Sequence, residues 1–412
     1  MAISKDGLLK YVPLNDEQRE CLAVLEATRK TGPLSRAELT KRSGCNAARM
    51  THCVDGFVRK QLIREKVTGD AAGGKKTPLL EICKGEHFFI GIDFNRKTVN
   101  GIVADLSLNI LREVSVARPA IVQDEVEKAI VGLINGLLEA PGVEKAKIRF
   151  IGIGVYGMFN EVNMTIKGLD EEKGRSRATI YYDKVKQLLE KKFGITVFFG
   201  TDAAFAAFGE RAKNVDLNTS DMLYIFQDIG RGVILKDEIY CGTDISSIDT
   251  EGLLGDLSPE EKQRLKEEAL YLRPWNTKVS LRSEALKVIE TGVGTKIVEY
   301  LQGDLGRLTD DVIIKAAREN DEIAVELISG VGINLGVRIA YLINLFSPRI
   351  VVIGGGVERA GDLLFGQIKR TIEKLSLKKT KDVAGLYPSV LGEKAVVVGA
   401  VAVALREVFL EA

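Results

Sequence analysis

The stretch from Phe198 to Glu210, Phe-Phe-Gly-Thr-Asp-Ala-Ala-Phe-Ala-Ala-Phe-Gly-Glu, constrains this chain most. An apolar run ends at Gly200, a lone carboxylate, Asp202, stands at its exit, and a helix rich in Ala and Phe follows at once. This pattern predicts a strand that delivers an acid to a cleft. In open α/β sheets, ligands sit beyond the carboxyl ends of the strands. Asp202 is therefore either a binding or catalytic acid or, as Asp often is, the cap of the next helix.

The rest of the body repeats this plan. Phe88 to Asp93 is an apolar strand ending in an acid, and Val99 to Asp105 and Ile110 to Val116 continue as strands. Asp124 to Leu138 has helical spacing, and Phe150 to Val155 is another buried strand that turns at Tyr156-Gly157. A second half starts at Met222 to Phe226, continues through Gly230 to Leu235, and is helical from Leu281 to Leu345. Arg349 to Gly356 is a strand entering a glycine turn, a helix follows from Ala360, and Ala395 to Leu405 closes the chain. Strands with an acid or a glycine turn followed by helices, twice over, predict two α/β lobes.

Residues 1 to 84 differ in character. They hold 16 Lys and Arg against 10 Asp and Glu, whereas the remainder holds 42 against 47. A basic head on an acidic body suits contact with a polyanion. Asn15 with Gln18, and Ser35 with Glu38, have capping-box spacing; Gly32-Pro33 and Gly44 stop the helices that follow, and Asn46 starts a third. Met50, Cys53, Val54, Phe57 and Val58 form its apolar face. Its other face carries Ala47, Ala48, Arg49, Thr51, His52 and Asp55, small residues beside groups able to contact bases or phosphates. Leu62 to Val67 and Thr77 to Ile82 read as strands joined by a glycine loop bearing Lys75 and Lys76. A helix-turn-helix with a basic wing follows, and Ser35, Arg36, Asn46, Ala47, Arg49, Thr51, His52, Lys75 and Lys76 are its candidate DNA contacts. A winged helix that binds protein instead keeps the same fold.

The five cysteines have no paired CxxC spacing and are expected to be reduced and buried. His52 near Cys45 and Cys53 lacks partners for a four-ligand zinc site, so no metal is expected. No signal peptide and no apolar run of membrane-spanning length are evident, which points to a cytoplasmic protein without a membrane partner.

With these residues in place, the chain resembles the ROK family of repressors, open reading frames and kinases, especially its sugar-responsive repressors such as those of xylose and N-acetylglucosamine. The resemblance rests on Ser35-Arg36-Ala37-Glu38-Leu39 and Gly73-Gly74-Lys75-Lys76-Thr77-Pro78-Leu79-Leu80 in the head. In the body it rests on Gly152-Ile153-Gly154-Val155-Tyr156-Gly157, Thr201-Asp202-Ala203-Ala204 and Ile353-Gly354-Gly355-Gly356. It implies an N-terminal winged helix-turn-helix (1–84) followed by a two-lobed, actin-like sugar-kinase fold. The lobes are 85–205 and 206–412, with the last helix a candidate to return to the first lobe. It further implies a homodimer or homotetramer, palindromic operator DNA, and a sugar effector at Gly157, Thr201, Asp202, Asp249 and Glu290.

The departures bear on activity. Family kinases read Asp-x-Gly-Gly-Thr in the first phosphate loop; this chain reads Asp93-Phe94-Asn95-Arg96-Lys97. In the second, Asp228 would set a carboxylate beside a polyphosphate. The family's Gly-Glu-x-Gly-His stretch aligns with Ile248-Asp249-Thr250-Glu251-Gly252, no histidine lies beyond His87, and the cysteines of the family's zinc loop are missing. In their place Ser258-Pro259-Glu260-Glu261 opens a charged helix. The expectation is a regulator without kinase activity, catalytic residue, cofactor or metal. A sugar kinase with a regulatory head, and a regulator that has lost its effector, are the alternatives.

Overall fold

The computed structural model describes residues 2–4, 6–10, 14–66, 78–95, 97–167, 179–213, 221–226, 231–235, 238–239, 258, 280–375 and 385–410. The wing loop with Lys75 and Lys76, Arg96, Asp228, Cys241, Asp249 and the charged segment after Ser258 lie outside these residues. The chain forms two compact units. One comprises Met1–Asn218, Glu238–Ser247 and Lys394–Ala412; the other comprises Thr219–Asp237 and Ile248–Glu393.

The first unit opens with a small antiparallel pair, β1 (Ala2–Ile3) and β2 (Leu9–Lys10). Helix α1 (Asp16–Thr31) starts at the Asn15–Gln18 capping box, in which each side chain bonds the other's backbone amide. After β3 (Leu34–Ser35), α2 (Arg36–Ser43) begins at the equivalent Ser35–Glu38 box and ends at Gly44, whose φ of 69° suits a residue without Cβ. Asn46 caps α3 (Ala47–Arg59), and β4 (Ile63–Lys66) and β5 (Leu79–Ile82) complete an antiparallel sheet in the order β3-β5-β4. This is a winged helix-turn-helix.

Two expectations about the head need correction. Cys21 and Cys53 are joined in a disulfide, with Cα atoms 5.5 Å apart, because the packing of α1 on α3 brings residues 32 apart in sequence face to face. Cys45 and Cys83 are buried free thiols, and burial together with the Glu20 carboxylate pushes Cys45 up to about 11. Val58 belongs to the rim of α3 and is 38% exposed, while Met50, Cys53, Val54 and Phe57 are buried.

A five-stranded sheet follows, built from β6 (Phe88–Phe94), β7 (Thr98–Asp105), β8 (Ile110–Ala117), β9 (Ile148–Val155) and β13 (Thr196–Thr201). Helix α4 (Gln123–Leu138) precedes β9. A small sheet of β10 (Met158–Asn160), β11 (Thr165–Lys167) and β12 (Ile180–Tyr181) and helix α5 (Tyr182–Phe193) separate β9 from β13. The order is β13-β9-β6-β7-β8, with β13, β9 and β6 parallel and β7 and β8 antiparallel. Helix α6 (Asp202–Lys213) leaves β13 directly and runs unbroken through residue 205, where the lobe boundary was expected.

In the second unit β14 (Met222–Phe226) pairs antiparallel with β15 (Arg231–Leu235). The expected helical region divides into α7 (Leu281–Glu290), α8 (Lys296–Leu301), α9 (Asp310–Arg318) and α10 (Glu322–Phe346), each begun by a Ser, Thr or Asp cap. Strand β16 (Ile350–Gly354) lies parallel to β14 and to β17 (Gly385–Pro388), with α11 (Asp362–Leu375) between them in sequence. Helix α10, 25 residues long, is apolar and long enough to cross a membrane, contrary to expectation. Ile328, Val331, Leu335, Ile339 and Ile343 of that helix instead pack in the unit's hydrophobic core.

Helix α12 (Ala395–Leu410) returns the chain to the first unit and is buried along nearly its whole length against α6, β6 and β9. Its approach to the sheet explains a glycine: a Cβ on Gly91 would sit 2.1 Å from the Val397 carbonyl oxygen.

Candidate functional site

Two places in the first unit combine exposed polar groups with a rigid support. The first is the outer face of α3, where Asn46, Ala47, Ala48, Arg49, Thr51, His52 and Asp55 are all exposed. Several of these groups are engaged locally. The Asn46 side-chain oxygen accepts from the Arg49 amide at 2.9 Å, the Thr51 hydroxyl donates to the Ala47 carbonyl at 3.0 Å, and Ser35 is held in its capping box. Arg36 bonds Asp55 at 3.2 Å and Glu65 at 3.0 Å, and Arg49 bonds Glu20 at 2.6 Å. Nothing in the sequence marks Glu20 and Glu65 as partners, since they come from α1 and β4. Exposed pairs of this kind contribute about 0–1 kcal/mol, so a phosphate can compete for either guanidinium. His52 is 3.8 Å from Glu17 and open to solvent.

The second place is the carboxyl edge of the parallel strands. Asp93 on β6, Gly154 on β9 and Gly200 on β13 are aligned across the sheet, and one residue on, Phe94, Val155 and Thr201 are aligned. Asp93 and the β13–α6 junction therefore emerge at the same edge. The Thr201 hydroxyl accepts from the Ala204 amide at 3.3 Å, so Thr201 takes the capping role considered for Asp202. Asp202 heads α6, half-buried, and accepts from the Ala203 amide at 2.7 Å. The positive end of a helix attracts negative charge placed beside it. Gly157 follows β9 in the adjoining turn, where the Tyr156 amide bonds the Phe94 carbonyl at 3.2 Å.

Between β6 and β7 the chain turns tightly around Asn95. Its side-chain oxygen accepts from the Lys97 and Thr98 amides, both at 2.9 Å, and its nitrogen donates to Asp93 at 3.0 Å. Both amides are thus occupied by an internal acceptor. In the second unit, the glycine turn after β16 has φ of 90° at Gly355 and 101° at Gly356, and the Gly356 amide donates to the buried Glu358 carboxylate at 2.7 Å. Glu290, at the end of α7 in the same unit, is exposed. Among the described residues no group of three or more His, Cys, Asp or Glu is placed to hold a metal ion.

The model of the ROK family matches residues 89–247 and 290–407. The chain belongs to the ROK family. Over 409 residues it is 23% identical to the xylose repressor of Caldicellulosiruptor bescii, covering 94% of this chain and 95% of that protein. It is 23% identical over 369 residues to the N-acetylglucosamine repressor of Shigella flexneri, covering 88% and 86%. Among solved structures, a ROK family transcriptional regulator, a homologue of the E. coli MLC protein, superposes with a TM-score of 0.69 over 96% of this chain and 98% of that one, at 21% identity. A ROK family glucokinase from Streptomyces griseus gives a TM-score of 0.55 over 76% of this chain and 98% of its own, at 22% identity. The ROK fold with a winged head is thus common to this chain and the regulator.

Proposed function

We propose that this ROK chain is a sequence-specific DNA-binding transcriptional repressor of sugar-metabolism genes, with residues 1–84 as the DNA-binding domain and a body that senses a sugar or sugar derivative. The observation that carries the reading is the winged helix-turn-helix, with the outer face of α3 open, joined to a ROK body. The relatives named for xylose and N-acetylglucosamine support an aldose or amino-sugar effector. Asn46, Ala47, Arg49, Thr51 and His52 face the operator, and Ser35, Arg36, Lys75 and Lys76 contact its backbone. Gly157, Thr201 and Asp202 bind sugar hydroxyls, with Asp249 and Glu290 as further contacts. The repressor works as a homodimer or homotetramer on a palindromic site in the cytoplasm. A ligand that favours one arrangement of the body changes the spacing of paired heads, and each 1.4 kcal/mol or so of that preference is about tenfold in operator affinity.

The body has no kinase activity in this reading. Phosphate binding by a loop needs amides that point at the ligand, and at Asn95 the two amides of the first loop already have an acceptor. The Glu358 carboxylate at Gly356 adds a like charge to any polyphosphate there. The similarity to a glucokinase keeps a kinase as the second reading. Recovery of genomic fragments by the purified protein, followed by thermal shift with D-xylose, N-acetyl-D-glucosamine and D-glucose, tests the proposal. One enriched palindrome and a sugar that raises the melting temperature support it. Sugar-dependent ATP turnover abolished by Asp202→Asn would establish the kinase instead.

A further inference from the structure

The basic residues Arg29 and Lys30, in the last turn of α1, carry out a task remote from DNA. The Arg29 guanidinium, 4% exposed, donates to the Ala212 carbonyl, and the Lys30 ammonium, 16% exposed, donates to the Arg211 carbonyl at 3.1 Å. Both acceptors are at the end of α6. The last carbonyls of a helix have no partner within it and carry partial negative charge, so two cations from α1 satisfy that end. Glu26 holds the pair in place, 2.7 Å from Arg29 and 3.6 Å from Lys30. The other end of α6 is Asp202, with Thr201 as its cap.

We propose that Arg29 and Lys30 are positioning residues that transmit the occupancy of the sugar site at Asp202 to the DNA-binding helices, with α6 as the connecting rod. The inference rests on the assignment of Asp202 to the sugar site. Helix α6 has 12 residues and spans roughly 18 Å at about 1.5 Å per residue. It is not free to deform along that length, because Gly209 and Gly399 bring α6 and α12 into backbone contact: a Cβ on Gly399 would lie 1.7 Å from the Phe205 carbonyl oxygen. A ligand that draws Asp202 therefore displaces the whole rod. At the far end Arg29 and Lys30 follow, since otherwise each gives up a carbonyl acceptor that little water can replace and keeps only the Glu26 carboxylate. Movement of α1 passes to α3 through the Cys21–Cys53 bond, and α12 reaches α3 as well, Phe409 meeting Phe57 with ring centres 4.8 Å apart.

The experiment is hydrogen–deuterium exchange on the full-length protein with D-xylose, N-acetyl-D-glucosamine and D-glucose, alongside affinity for the recovered genomic fragment. A sugar that protects residues 200–206 is expected to alter exchange in 24–31 and 47–59 of the parent. In Arg29→Gln, and in Lys30→Gln should the first variant fold poorly, the protection at 200–206 and the sugar affinity persist. The head response disappears, and the ratio of DNA affinities with and without sugar falls to within about twofold of unity. A structural role alone would not separate these readouts. Protection at 200–206 with no head response in the parent overturns the inference and leaves the sugar site standing. A head response of parental size in both variants, or loss of DNA binding by both without sugar, also overturns it. If no sugar protects 200–206, the sugar site and the inference fail together.

Discussion

The two ends of α6 obey the same electrostatic rule and are built for different lifetimes. An acid stands at the amino end and two cations at the carboxyl end, as the helix dipole favours. At the amino end the carboxylate is half-buried and the cap is a neutral hydroxyl, an arrangement that a ligand can rebuild at little cost. At the carboxyl end Arg29 is almost wholly enclosed and paired. Exchangeable polar groups and fixed polar groups are thus separated by one helix. The difference between them is burial rather than charge.

The most severe way to break this comparison is to force α6 off its support. Gly399→Val places side-chain carbon against the Phe205 backbone. It is expected to cost about 3 kcal/mol or more, or to prevent folding, as read by urea unfolding. Gly132→Ala in α4, with nothing within 4 Å of the added carbon, is the control and should stabilise by about 0.5–1 kcal/mol. Next in size, Asp202→Asn keeps the shape of the amino end and removes its charge. Sugar affinity by calorimetry is expected to fall by about 2 kcal/mol, roughly thirtyfold, with little change in the melting temperature of the unliganded protein.

The smallest effect is at the carboxyl end. Burial raises the Glu26 carboxyl, but attraction to Arg29 and Lys30 and a hydrogen bond from Arg29 outweigh it and leave the pKa below its ordinary 4.5. A carboxylate lowered on folding adds stability that is complete above the unfolded pKa and is lost as pH falls through the folded one. Glu26→Gln should therefore be less stable than the parent at pH 7, the gap closing on acidification below pH 4.5. Glu26 is 40% exposed, which limits the gap to under about 1 kcal/mol in urea unfolding. A gap that is constant with pH would mean that Glu26 acts through packing.

What could be read from the sequence was what local spacing determines. The capping boxes at Asn15 and Ser35, the stop at Gly44 and the strand that ends at the Thr201–Asp202 junction each depend on residues a few positions apart. The groups that define the candidate sites were legible only as types. Arg29 and Lys30 look like ordinary basic residues in a last helical turn, and their acceptors lie 183 and 181 residues away. Cys21 and Cys53 are brought together by helix packing, which no CxxC spacing announces. Asn95 was visible as a lost glycine, while its use of the Lys97 and Thr98 amides required the fold of the turn.

The first residues of the chain have a practical consequence. Strand β13 ends the five-stranded sheet, and Leu8 bridges alongside it while the Phe199 amide donates to the Gly7 carbonyl at 2.7 Å. Leu8 and Leu9 are each 1% exposed. A body produced by deleting the head from Met1 onward would lose this cover and present a bare strand edge, the surface through which sheets recruit one another into aggregates. A truncated protein intended for crystallisation or sugar binding should therefore keep residues 2–10, joined by a linker across the missing helices.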